Sequence, residues 1–150
     1  MTQFNQQPIP LQISQNCVVA SIQLDLTPEL LQQLGQDLLE TLHSSGANGV
    51  ILDVSGVNII DFTDFTALRK IINMVEIMGA KTIISGLKPG VISALVDLDA
   101  DIDGINAVLN LDDAFVLIDT LRLQSSARRQ NPPLTPPRRG TGGSEGRKLF

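Results

Sequence analysis

"GVILDVSGVNIIDFTDFTALRKIINMVEIMGAKTIISG", residues 49–86, is the stretch on which the fold turns. It opens with GVILDV, a short continuous apolar run of β-branched character, the mark of a buried parallel strand. From Phe65 the period changes: Phe65, Leu68, Ile72 and Val75 recur at helical spacing until Gly79 ends the run. KTIISG then reads as a second buried strand. Strand, helix and strand in so short a span predict a parallel β-α-β unit.

The same alternation continues on both sides. Upstream, LTPELLQQLGQDLLETLHSSG (26–46) reads as a helix capped by Thr27, with Pro28 in its first position, Leu31, Leu34, Leu38 and Leu42 on one face, and Gly46 as its stop. Before it, PLQIS (10–14) and CVVASIQL (17–24) read as two strands joined at Gln15 and Asn16, a hairpin. Downstream, LKPGVISALVDLD predicts a short helix with Pro89 near its start, GINAVL a short strand, and LDDAFVLIDTLRL a closing helix with Asp112 as its cap. The expected architecture is α/β: a mostly parallel central sheet with an N-terminal antiparallel hairpin, right-handed crossovers and about four helices.

A chain of 150 residues, 43% hydrophobic, has room for one ordinary domain. We place it at 10–122, after a flexible N-terminus over 1–9 and before a tail over 123–150. Residues 1–124 carry five Lys or Arg against fifteen Asp or Glu, whereas 125–150 carry six against one. An acidic domain is poorly suited to a phosphate backbone, and the basic tail lacks interleaved aromatics, so nucleic acid is not expected as a partner. Rich in Pro, Gly, Ser and Arg, the tail cannot bury enough apolar surface to offset its ordering entropy. Its PPLTPP segment reads as linker or polyproline II ligand, and its positive charge could dock on an acidic neighbour. The single cysteine, Cys17, sits in an apolar run and excludes an intramolecular disulfide. With neither a leader nor an apolar run long enough to cross a membrane, the expected location is cytoplasmic.

No catalytic constellation emerges. The one histidine, His43, lies in the last turn of the first helix, where it suits the helix dipole. A nucleophile therefore has no evident base. GANGV precedes a strand, and GLKPGV lacks the Lys-Ser/Thr pair of a phosphate loop. DLDADIDG (97–104) has aspartates at alternate positions like the start of a calcium loop, but Asn110 stands where the bidentate Glu is needed, so it reads as a solvated acidic loop. No metal, cofactor or enzymatic activity is expected.

There remains NIIDFTDFT (58–66), which joins the first buried strand to its helix. Asp61 is placed to cap that helix and Asp64 suits the positive end of its dipole. Thr63 and Thr66 put hydroxyls on the first turn, where an added phosphate would change the surface charge sharply. Phe62 either faces solvent as a partner anchor or folds back as a hydrophobic staple, while the spacing of Phe65 points it into the core.

Together NCVVASIQ, DLLETLHSSGANGVILDVSGVNIID, IMGAKTIISGLKP and ALVDLDADIDGINAVLNLDDAF resemble the STAS domain of anti-sigma-factor antagonists, a SpoIIAA-like fold, and most closely its RsbS-type stressosome scaffold branch. The resemblance runs from about Pro10 to Leu121. It implies a non-catalytic protein of a stressosome or partner-switching module. Such a protein assembles with other STAS proteins and meets a serine/threonine switch kinase or anti-sigma factor through the loop holding Asp61, Phe62, Thr63 and Asp64. In that family an Asp in this loop is followed directly by a phosphorylatable Ser. Here Asp61 is followed by Phe62, which leaves Thr63 as the candidate phosphoacceptor and Thr66 as a looser substitute. The resemblance also admits a scaffold without a switch, or a STAS domain that binds a nucleotide or lipid.

Overall fold

A computed structural model describes residues 9–130. The elements follow as β1 (Leu11–Ser14), β2 (Cys17–Ser21), α1 (Pro28–Ser45), β3 (Gly49–Asp53), α2 (Phe62–Ile77), β4 (Lys81–Ser85), α3 (Pro89–Asp97), β5 (Asn106–Val108) and α4 (Leu111–Gln130). Five strands form one sheet in the order β1-β2-β3-β4-β5. β1 runs antiparallel to β2, with Leu11 opposite Ala20, and the other neighbours are parallel. The hairpin turn is made by Gln15 and Asn16 at φ 53° and 64°, the left-handed pair that a two-residue turn between twisted strands requires.

The strand order decides where the helices go. Each parallel crossover steps one place in the same direction, and right-handed crossovers of that kind set their helices on one face of the sheet. One continuous core accordingly joins Val18, Ala20, Val50, Leu52 and Ile84 of the strands to Leu34 and Leu38 of α1, Leu68 and Val75 of α2, and Leu95 of α3. Alternate strand residues point the other way. Cys17, Val19, Ile51 and Ile83 are buried there, and α4 contributes the fully buried Ala114 and Ile118. Helix α4 approaches closely because β3 begins with Gly49: a methyl group built there would lie 2.9 Å from Ile118 Cγ1 and 3.1 Å from Cys17 Sγ.

The helix ends follow local chemistry. Thr27 Oγ1 accepts from the Leu30 N–H at 3.1 Å, and Gly46, at φ 72°, closes α1 by donating its N–H to the Leu42 carbonyl. Helix α4 departs from expectation at its start. Asn110, not Asp112, is the cap, since Asn110 Oδ1 accepts from the Asp113 N–H at 2.9 Å. Asp112 and Asp113 instead fill the first turn, where the dipole favours negative charge.

Among the described residues the chain divides into two units after Thr120, within α4. The first holds the sheet and α1 to α3. Helix α4 itself runs to Gln130, beyond the boundary that composition placed at 122. Its last turns are built from Leu, Arg, Gln, Ser and Ala, several of them good helix formers. The expectations for residues 1–8 and for 131–150, PPLTPP included, lie outside the described residues. Among the described residues no helix is long and apolar enough to cross a membrane.

Candidate functional site

The loops at the carboxyl ends of β3 and β4 lie side by side, as they must in a parallel sheet. Within the β3–α2 loop, apolar residues alternate between anchoring and exposure. Val57 and Ile60 are buried at 1% and 4% exposure, whereas Ile59 is 73% exposed. Lys88 Nζ, at the start of α3, donates to Asn58 Oδ1 and ties the two loops together.

Helix α2 begins with a reciprocal cap. Asp61 Oδ1 accepts from the Asp64 N–H at 2.7 Å, and Asp64 Oδ2 accepts from the Asp61 N–H at 3.3 Å. The short aspartate thus takes the part usually given to Glu or Gln at this position. Partial burial pushes the Asp64 carboxyl above its ordinary value; the bond from the Asp61 backbone opposes this, and the Asp61 charge adds to it. Asp61→Ala is expected to destabilise the protein by about 1 kcal/mol, read from the denaturation midpoint, because it leaves the Asp64 N–H without its acceptor.

The two phenylalanines part here. Phe65 is 5% exposed and lies in the core, as its spacing predicts. Phe62 is 51% exposed, so it is not the staple. Ile60, just before the cap, and Phe65, in the fourth helical position, are both buried and line the same cavity, which gives them the staple positions. That pairing was legible in IDFTDF, since staple residues flank a cap at a fixed spacing. Phe62 and Ile59 remain as apolar side chains exposed on either side of the Asp61 cap.

Thr63 is exposed on the first turn. Thr66 is also exposed, but its hydroxyl donates to the Phe62 carbonyl at 2.9 Å. Asp61, Phe62, Thr63 and Asp64 therefore lie together at one helix start, with Thr66 one turn further on. Sequence reasoning missed Ile59 and the Lys88–Asn58 tie; the latter joins residues thirty apart and leaves no local signal.

The other candidates are scattered. His43 is exposed in the last turn of α1, and Cys17 is buried under α4. In the acidic loop Asp101 accepts from the Asp103 N–H at 3.2 Å and faces Arg69 at 3.6 Å. Among the described residues no three His, Cys, Asp or Glu side chains gather as a metal site.

Comparison with known proteins fits this architecture. The family model described as STAS domain matches residues 8–114. Among solved structures, a serine-to-glutamate variant of Moorella thermoacetica RsbS is 22% identical over 78% of this chain and 99% of its own, with a TM-score of 0.67. A structure described as the molecular architecture of the stressosome, a signal integration and transduction hub, gives 21% identity over 75% and 98%, with a TM-score of 0.62. The anti-sigma factor antagonist SpoIIAA in its unphosphorylated form gives 12% identity over 76% and 97%, with a TM-score of 0.56. A search of curated protein sequences gives no match. At these identities the solved structures share the fold, and the family model, matched over more than half of the length, decides membership: the chain belongs to the STAS domain family.

Proposed function

We propose that this protein is a non-catalytic regulatory scaffold of a stressosome or partner-switching module. It binds related STAS proteins and a serine/threonine switch kinase or anti-sigma factor through the start of helix α2. The carrying observation is the exposure of Phe62 and Ile59 beside a rigidly capped helix end. Two large apolar side chains held out by a buried staple form a pre-organised anchor, the kind of residue that dominates a protein interface. Family membership and the fold shared with proteins described as stressosome and anti-sigma factor antagonist structures support the same reading.

Thr63 is the candidate switch. A phosphate on it would sit at the favourable end of the helix dipole but beside Asp61 and Asp64, so it would strain the reciprocal cap and recharge the anchor surface. Thr66 is the lesser candidate, because its hydroxyl is engaged with the Phe62 carbonyl. Since Phe62 stands where the family resemblance places a serine, a scaffold without a switch is the second reading.

Two measurements test this. Size-exclusion chromatography with light scattering, on the protein alone and with candidate STAS partners, is expected to give a large mixed complex. Phe62→Ala should weaken partner binding at least tenfold without loss of folding. Incubation with the cognate kinase and ATP, followed by mass spectrometry, should place phosphate on Thr63. No phosphate, with assembly intact, selects the scaffold without a switch; no assembly with any STAS protein overturns the proposal.

A further inference from the structure

A cavity of about 170 Å3 lies between helices α2 and α3 and the β4–β5 end of the sheet. All twelve residues lining it are aliphatic or aromatic. Its inner wall includes Ile60, Phe65, Leu68 and Leu95, each 5% exposed or less. Its mouth is formed by Val96 and Ile102, 56% and 47% exposed, so the space opens from the core to solvent. Protein cores are close-packed, and an apolar void of about 150 Å3 stays dry and accepts benzene. The space beneath α2 is of similar size and similarly apolar lining, though open at one end, and its lining side chains offer no hydrogen bond to water.

Charge around the mouth narrows the ligand further. Asp97 and Asp99 follow Val96 in sequence, and Asp101 and Asp103 flank Ile102. Arg69, next to Leu68, reaches Asp101 at 3.6 Å and straps α2 to the loop at the mouth. Four aspartates against Arg69 and Lys88 leave the sequence around the mouth net acidic, which disfavours a carboxylate and favours a neutral molecule.

We propose that this cavity is a binding site for a small neutral apolar molecule of the size of one substituted ring. Ile60 and Phe65 belong both to its wall and to the staple that seats Asp61–Thr66, so the bound molecule stiffens the start of α2. The site goes beyond the scaffold reading and stands or falls without any protein partner.

The test is a titration of the isolated full-length protein, followed by methyl and amide NMR, with toluene and separately with benzoate as probes. Toluene is expected to shift the Ile60 and Ile84 methyls and the Asp61 and Phe62 amides saturably. Ile118, on the other face of the sheet, should not move, and benzoate should bind at least tenfold more weakly. Ala107→Leu, which fills the cavity from the exposed face of β5, should abolish the toluene shifts while the remaining spectrum stays dispersed. Absence of saturable shifts, shifts spread over both faces, equal binding of benzoate, or toluene shifts surviving in Ala107→Leu would each overturn the proposal.

Discussion

Phe65→Ala is expected to lower the unfolding free energy by about 3–5 kcal/mol, against a total of about 5–15 kcal/mol for a domain of ordinary stability. The ring is 5% exposed and forms part of the wall of a cavity that already exists. Removing it enlarges that space where the rigid cap of α2 prevents collapse, so the effect belongs in the upper part of the range for core truncation. Phe62→Ala, three positions earlier on a ring 51% exposed, should shift stability by less than about 1 kcal/mol. The chain has neither Trp nor Tyr, so guanidinium unfolding followed by far-UV circular dichroism is the suitable measurement. Equal losses in the two variants would mean that Phe62 is packed against its own protein, and the partner anchor would be lost as an explanation.

Gly49→Ala is the second large effect, and its sign is opposite to the usual gain from replacing a strand glycine. The new methyl would meet Ile118 Cγ1 at 2.9 Å, and Ile118 Cδ1 and Cys17 Sγ at 3.1 Å. All three atoms belong to side chains that are fully buried, so none can swing away. Overpacking of this kind costs about 1–3 kcal/mol. Ile118→Ala alone should cost about 2–5 kcal/mol by leaving a cavity between α4 and the sheet. In the double variant the added methyl occupies part of that cavity, so the combined loss should fall short of additive by about 1 kcal/mol. Additivity would show that α4 does not rest on Gly49.

Much of this was readable in advance, for reasons that differ from one feature to the next. Periodicity alone identified α2, because Phe65, Leu68, Ile72 and Val75 fall on one stripe and all four are buried. The parallel strands were legible from continuous apolar runs, since helices cover both sheet faces and alternation is lost. The cap of α4 was misplaced because three cap-forming residues, Asn110, Asp112 and Asp113, occur within four positions, and only the direction of the Asn110 side chain separates them. The exposure of Phe62 was left open by local sequence, since a ring at that position either turns out or folds back depending on what already fills the space beneath. Ile60 fills it. The cavity left no trace in the sequence, because a void is a property of how several helices meet and of no single segment.

The order of strands across the sheet is also their order along the chain. No strand is inserted between two that precede it; each one adds to an edge already in place. A chain emerging from its N-terminus can therefore build the sheet as it is made, hairpin first, with each new helix and strand laid against finished structure. Among the described helices α4, which carries Ala114 and Ile118 to the face left uncovered by the other three, must wait until strands as far along the chain as β4 are present, so the last of them completes the second core.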